Sequence, residues 1–269
     1  MLIFVLALIA LIAAAAFTVG SGLAVWKLLL IFLACFAAVN LLFFLFWGIV
    51  SLFSDRTKPI EKQNKLCRIG CGLIAQYICE YAGVRPVISG ADKLPQDGRF
   101  LFVCNHRSLF DPLIVIDKLR KYNISFVSKP SNMEIPIAGR LSFGAGFLPI
   151  DRENDRNALR TILMAADYLK NDLCSVGIYP EGTRSKTSEL LPFHAGSFKI
   201  AQKASVPIAV ASIRGSEKVT ENILRRNKPV CLHILEVIPV DTVKSMNTKA
   251  LAAYVKDRIA ADLEQGEQK

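Results

Sequence analysis

The chain has no Gly-x-Ser-x-Gly elbow, which argues against a covalent hydrolase built on a strained nucleophilic serine. Its seven cysteines and three histidines follow no zinc-ligand spacing, so no metal site is expected. No DNA- or RNA-binding motif is present, and nucleic acid is not an expected partner. Internal repeats, low-complexity tracts and a second soluble domain are all absent; 269 residues suffice for one domain of ordinary size plus a membrane segment. Acidic residues are scarce, with 23 Asp and Glu against 33 Lys and Arg, a net charge of +10. Without a nucleic-acid motif, the simplest counterpart for that charge is the anionic headgroups of a lipid bilayer.

What the chain has in excess is apolar length. Hydrophobic residues make up 52% of it, and the surplus sits before residue 54. Leu2 to Val19 is apolar except for Thr18, and Leu28 to Val50 except for Asn40 and Gly48. Each run has about the 20 residues a helix needs to cross a hydrocarbon core. Between them, Gly20, Ser21, Gly22, Trp26 and Lys27 suit an interfacial turn. Residues 1–54 therefore read as a transmembrane helical hairpin. The following stretch holds Arg56, Lys58, Lys62, Lys65 and Arg68 against Asp55 and Glu61, a bias that places the rest of the chain in the cytoplasm. A cleaved signal peptide is the rival reading of the first run. That run lacks a basic start, although Ala13 to Ala16 resembles a cleavage site; the second helix and its basic flank are unchanged either way.

Residues 55–83 read as a basic, amphipathic interfacial segment, with a helix over 60–82 on the bilayer surface. Cys67, Cys71 and Cys79, with Leu66, Ile74 and Ile78, follow the spacing of one buried face, and free thiols fit a reducing compartment. Asn123-Ile124-Ser125 matches a glycosylation sequon that a cytoplasmic domain would not use. Residues 84–269 then alternate β-rich and helical stretches. Strands are expected at 85–89, 100–104, 124–128, 147–150, 175–179, 208–213 and 230–237, and helices at 112–121, 136–143, 157–171, 196–203 and 248–264. The expected fold class is α/β, a mostly parallel central sheet flanked by helices and preceded by the transmembrane hairpin. The terminal Gly-Glu-Gln-Lys reads as a frayed tail.

Ligands of open α/β sheets gather at the carboxyl ends of the strands. Two such segments carry reactive side chains. Asn105-His106-Arg107-Ser108-Leu109-Phe110-Asp111-Pro112 follows the strand 100–104. Asp111-Pro112 looks like a helix start with Asp as the cap. The spacing also lets the Asp111 carboxylate turn back onto the His106 imidazole, fixing its tautomer while the other ring nitrogen takes a proton from a hydroxyl. On spacing alone, a surface loop with one capping Asp fits equally well. Tyr179-Pro180-Glu181-Gly182-Thr183-Arg184-Ser185 follows the strand 175–179. Here Gly182 permits a tight backbone, Thr183 offers a hydroxyl, Arg184 can grip a phosphate, and Glu181 can orient that Arg or accept from a substrate hydroxyl. A polar turn with an internal Glu–Arg pair is the plainer reading.

Taken together, Asn-His-x4-Asp-Pro and the downstream Pro-Glu-Gly-Thr-Arg resemble the 1-acylglycerol-3-phosphate acyltransferases, within the wider glycerolipid acyltransferases. The resemblance covers roughly residues 84 to 240. Phe147-Leu148-Pro149-Ile150-Asp151-Arg152 looks like the family's second block, Val206-Pro207-Ile208 its fourth, and Phe193-x-x-Gly196 a further matching pair. The resemblance implies that His106 is the general base, that Asp111 holds it, and that Arg152, Arg184 and Lys129 bind the acceptor phosphate. Acyl would pass from acyl-CoA or acyl carrier protein to lysophosphatidic acid at a lipid bilayer, in a bacterial inner or plasma membrane, with no cofactor. Other acceptors remain open: glycerol 3-phosphate, another lysophospholipid or a lysoaminolipid. So do a non-catalytic protein that binds anionic lipid and a lipid hydrolase. Tyr179 stands where the family more often has phenylalanine, a change expected to leave the chemistry unaffected. Asp151 reads as a charge partner of Arg152 or a turn residue, and His233 as structural.

Overall fold

The computed structural model describes residues 1–18, 25–56, 60–185, 187, 189–221 and 227–267. Two apolar helices open the chain, α1 (Leu2–Thr18) and α2 (Val25–Leu52). At 1.5 Å per residue the 28 residues of α2 reach about 42 Å, whereas the 17 of α1 reach about 25 Å. One helix, Trp26–Leu52, is thus long and apolar enough to cross a ~30 Å hydrocarbon core, and Leu2–Ala16 is apolar but shorter. Where two crossing runs were expected, the described residues hold one helix of spanning length and a shorter apolar companion. Trp26 and Lys27, expected in the turn, belong to α2 itself. Gly20, Ser21, Gly22 and Lys58 lie outside the described residues.

Helix α3 (Lys65–Tyr81) begins later than the expected residue 60 because Asn64 caps it. Its Oδ1 accepts the N–H groups of Leu66 and Cys67 at 3.0 and 3.2 Å, satisfying donors that a helix start leaves open. Cys67, Ile74 and Cys79 are buried as expected, Cys71 and Ile78 only partly. Leu66 points outward and is 54% exposed, because the buried stripe runs through Gly70 and Ala75 instead. Gly70 carries no side chain where the Trp47 indole of α2 presses in; a Cβ there would lie 2.6 Å from the ring. Near the other end of α3, Glu80 accepts the Leu2 and Ile3 N–H groups at 3.0 and 2.9 Å and so ties α1 to α3. All seven cysteines are free thiols.

Seven strands follow: β1 (Val84–Ser89), β2 (Leu101–Cys104), β3 (Ile124–Ser128), β4 (Leu148–Pro149), β5 (Ser175–Ile178), β6 (Ile208–Arg214) and β7 (Lys228–Ile238). Their order is β1-β7-β6-β2-β5-β3-β4, and every neighbouring pair is parallel except β6–β7. The helices between them are α4 (Phe110–Lys118), α5 (Ala138–Gly144), α6 (Asp155–Lys170) and α7 (Lys199–Ala204), and α8 (Val240–Ser245) and α9 (Thr248–Glu267) follow β7. Helix α8 has no counterpart in the sequence reading. The last helix runs through Gly266 and Glu267, which the sequence reading assigned to a frayed tail; Gln268 and Lys269 are outside the described residues.

The sheet separates two cores. On β2, Phe102 and Cys104 point into one, with Trp47, Ile74, Ile114, Phe126 and Leu141; Leu101 and Val103 point into the other, with Ile162, Ile200 and Val255. This alternation is the two-residue period of a strand. With helices on both faces the central strands are buried almost throughout and mostly apolar, which is why they read as short continuous runs in the sequence. Because Trp47 and Val50 belong to the first core, the foot of α2 is built into the α/β domain.

Candidate active site

Strands β2, β3, β4 and β5 are mutually parallel, so their carboxyl ends share one edge of the sheet. The two motif loops leave from that edge, and the segments carrying Lys129 and Arg152 follow β3 and β4 there. Asn105, just past β2, is fully buried. Its Nδ2 donates to Ile213 O at 2.9 Å and its Oδ1 accepts from Ile213 N at 2.8 Å. The side chain thus pairs with β6 as a backbone would, and it fixes where His106 emerges. This anchoring role is one the sequence did not reveal.

The His106 Nδ1 lies 2.8 Å from Asp111 Oδ2. The same oxygen accepts the backbone N–H groups of Arg107 and Ser108, each at 2.7 Å. The Asp111 side chain is completely buried, while His106 keeps 18% of its side chain open. Asp111 is not the helix cap expected of it: α4 begins at Phe110, Leu109 takes the cap position, and no side chain caps there. The carboxylate instead folds back onto the loop that carries His106. Two backbone donors and one imidazole hold it, as a buried carboxylate requires. With Nδ1 engaged, Nε2 is the nitrogen left to meet a ligand. Ser108 is buried, and its Oγ accepts from Phe110 N at 3.3 Å, so it is placed as a turn residue and not as a nucleophile.

The second loop is stitched to the first. Glu181 Oε1 accepts from His106 N at 2.6 Å, Glu181 Oε2 accepts from Leu191 N at 2.9 Å, and Ser185 N donates to His106 O at 2.9 Å. Glu181 is 3% exposed, and among the described residues no ion pair joins it to Arg184, so the expected Glu–Arg pair is not formed. Its burial raises the carboxyl pKa above the ordinary value, with the His106 and Leu191 N–H groups pulling the other way. Gly182 has φ +71, and a Cβ there would lie 3.0 Å from the His194 ring. A side chain at 182 would be both strained and obstructed. His194, outside the motif blocks in sequence, therefore lies on the rim of this loop.

Thr183 and Arg184 are exposed, as are Lys129 and Arg152. Among the described residues no hydrogen bond or ion pair engages these three cationic side chains, so a ligand finds them unsatisfied. The protein around Arg152 partly dehydrates its guanidinium and lowers its pKa. Asp151 is a turn residue and not its partner: Oδ1 accepts from Glu153 N at 3.1 Å and Oδ2 from Asn157 Nδ2 at 3.2 Å. His233 is structural, with Nδ1 2.7 Å from Asp262 Oδ1 on α9. No cluster of three or more potential metal ligands occurs among the described residues.

Tyr179 also enters the site. Its ring stacks on the His106 imidazole, centroids 4.2 Å apart and planes 16° from parallel.

A family model described as Acyltransferase matches residues 85–214. The chain is 32% identical over 170 residues to the 1-acyl-sn-glycerol-3-phosphate acyltransferase of Haemophilus influenzae, covering 61% of this chain and 70% of that one. Identity to the protein of the same name from Escherichia coli is also 32%, over 160 residues, 59% of this chain and 64% of that one. Among solved structures, the 1-acyl-sn-glycerophosphate acyltransferase PlsC of Thermotoga maritima superposes with a TM-score of 0.63 at 22% identity, over 83% of this chain and 90% of that chain, and shares the fold.

Proposed function

The chain belongs to the family of 1-acyl-sn-glycerol-3-phosphate acyltransferases, and we propose that it transfers a fatty acyl group from a thioester to the sn-2 hydroxyl of 1-acyl-glycerol-3-phosphate, forming phosphatidic acid. The observation that carries this reading is the 2.8 Å contact between His106 Nδ1 and Asp111 Oδ2, which leaves Nε2 free to accept a proton. Asp111 holds the tautomer with the proton on Nδ1 and stabilises the imidazolium that forms. As the acceptor hydroxyl attacks the thioester carbonyl, its proton passes to His106 Nε2. Collapse of the tetrahedral adduct breaks the C–S bond, and the departing thiolate takes the proton back from the imidazolium. One ester forms and one thiol is released. Proton transfer by a positioned base contributes typically ~10²–10⁴-fold.

Lys129, Arg152 and Arg184, unpaired on the sheet edge from which His106 emerges, are assigned to the acceptor phosphate. Glu181 and Gly182 hold the second loop, and Thr183 faces the ligand beside Arg184. The route calls on no metal and no organic cofactor; acyl-CoA or acyl carrier protein serves as the donor substrate. Helix α2 gives the enzyme its place at the bilayer, where the acceptor and the product reside. Arg56, Lys62 and Lys65, exposed at its foot, orient the domain toward the cytoplasm.

The test is thiol release from a long-chain acyl-CoA in detergent micelles, with and without lysophosphatidic acid, and the product identified by mass. Acceptor-dependent release that yields phosphatidic acid and disappears in His106→Ala is the expected result. Release without acceptor would make the protein a hydrolase. Silence with acyl-CoA, acyl carrier protein and a panel of acceptors would leave a protein that only binds lipid.

A further inference from the structure

His106, Tyr179 and Phe126 form a column of three nearly parallel rings. Tyr179 is the middle one, 4.2 Å and 16° from the imidazole on one face, 5.2 Å and 6° from Phe126 on the other. The column is set in the sheet. Phe126 lies on β3, Tyr179 directly follows β5, and Gly177 on β5 leaves the space that the Phe126 ring occupies, since a Cβ there would fall 2.5 Å from that ring. Phenylalanine in the middle position would stack equally well. This chain has a phenol there, and its hydroxyl is buried with no hydrogen-bond partner among the described residues.

A second orphan lies nearby. Asp111 Oδ2 takes three donors, but Oδ1 is buried with none. Tyr179 and Asp111 are close enough for the carboxylate to act on the phenol: burial first, and then the Asp111 and Cys104 charges, push the Tyr179 pKa well above its ordinary value. The phenol therefore keeps its proton and remains a donor. A buried donor and a buried acceptor, each unfavourable if left unmade, flank the same histidine. No direct hydrogen bond joins them, and one water reaching both would satisfy the donor and the acceptor together.

We infer that Tyr179 is a positioning residue for the proposed acyl transfer: its ring seats the His106 imidazole, and its hydroxyl supplies, through one water, the hydrogen bond that Asp111 Oδ1 lacks. A donor on Oδ1 draws charge from the carboxylate and weakens its hold on the imidazolium. The hydroxyl thereby tempers the basicity of His106, while the ring keeps Nε2 aimed at the acceptor. This inference rests on His106 being the base, as proposed above.

The experiment compares wild type, Tyr179→Phe, Tyr179→Leu and His106→Ala by thiol release over a range of about pH 5 to 9, with kcat and KM separated at each pH. Tyr179→Phe keeps the stack and removes only the hydroxyl. Its acidic limb of kcat/KM, which reports the base in the free enzyme, is expected to move to higher pH by several tenths of a unit. Tyr179→Leu removes the ring and should lose about tenfold in kcat with KM for the acceptor changed less than about twofold. A Tyr179→Phe limb that superimposes on wild type overturns the hydroxyl's role. Full kcat in Tyr179→Leu overturns the ring's. Activity retained in His106→Ala would remove the parent reading and this one together, whereas a His106-dependent enzyme with unmoved Tyr179 variants would sink this inference alone.

Discussion

The backbone N–H of His106 donates to Glu181 Oε1 at 2.6 Å across 75 positions of sequence, so the two motif loops form one unit. The other carboxylate oxygen takes the Leu191 N–H, and Ser185 N closes the seam onto His106 O. The role of Glu181 is thus to hold the histidine's backbone, and its removal should displace His106 without touching a substrate.

Glu181→Ala leaves two amides without acceptors, one of them on the residue proposed as the base. The expected cost is about 1–3 kcal/mol of stability per unsatisfied buried group. The kcat should fall roughly 10²-fold, because the base is no longer held at its reacting distance. Thermal unfolding and acceptor-dependent thiol release measure the two effects. A variant with wild-type kcat and lowered stability would confine Glu181 to folding.

The same residue sets a pH dependence. Burial holds the Glu181 carboxyl above its ordinary value of 4.5, so the folded chain binds that proton more tightly than the unfolded chain. Its contribution to stability is fully present below 4.5 and is lost as pH rises through the raised folded value. Glu181→Gln cannot ionise and should lack that component. Denaturant midpoints of the two proteins, measured from acidic to neutral pH, should converge at the acid end and separate as pH rises. Parallel curves would show that Glu181 titrates normally.

The thiols offer an independent check on the packing. Burial pushes Cys79 to about 12 and Cys174 to about 11, and Cys104, beside the Asp111 and Glu181 carboxylates, well above the ordinary thiol value. Thiolate is the reactive form, so these three should resist a maleimide in the native protein at pH 8. Cys231, half-buried on β7, should react first among the thiols of the α/β domain. Mass mapping of labelled peptides reads this directly, and fast labelling of Cys104 would contradict the buried site.

The strands were legible in the sequence because both faces of the sheet are covered, which leaves Leu101–Cys104 apolar from end to end and β6 apolar from Ile208 to Ala211. The His106–Asp111 contact was legible as a spacing. What the spacing could not supply was direction. Asp111 looked like a helix cap because Pro112 follows it, yet its partners are the amides of Arg107 and Ser108 upstream. Glu181 looked like a partner of Arg184, two residues removed from Gly182's turn, but the loop's docking carries it inward to an amide 75 residues away. Asn105 and Tyr179 stood in the motifs, but their roles were not legible, since these come from β6 and from the rings packed around them. The start of α3 was misplaced because an apolar periodicity does not register a cap, and Asn64 ends the extended segment by its side chain alone.

Gly177 links the core to the site. A methyl group at 177 would meet the Phe126 ring at 2.5 Å, and Phe126 is 2% exposed with little room to yield. Gly177→Ala should cost about 1–3 kcal/mol as an overpacked core and should disturb the ring column that ends on His106. The pairing of Gly177→Ala with Phe126→Leu should recover part of both losses, since the smaller side chain frees the space. Denaturation and thiol release on the two single variants and the double variant form the cycle, and strictly additive effects would mean that the collision is not the cause.

Arg184 and Arg152 should behave in the opposite way to Glu181. Both are exposed, and neither guanidinium has a hydrogen bond or ion pair among the described residues, so truncation leaves no protein group unsatisfied. Substitution by alanine should therefore leave thermal stability within about 0.5 kcal/mol of wild type, as for ordinary surface changes. If these cations grip the acceptor phosphate, each loss removes one or two charge-assisted hydrogen bonds of about 1.5–3 kcal/mol, and kcat/KM for lysophosphatidic acid should fall by roughly 10- to 100-fold. The loss should appear chiefly in KM for the acceptor and not in KM for the acyl thioester, because the guanidinium binds ground state and transition state alike. Arg184→Lys should recover little, since an ammonium cannot reproduce the planar two-point contact. A loss confined to KM for the acyl donor would reassign these arginines to the phosphates of the donor and leave the acceptor to be held elsewhere.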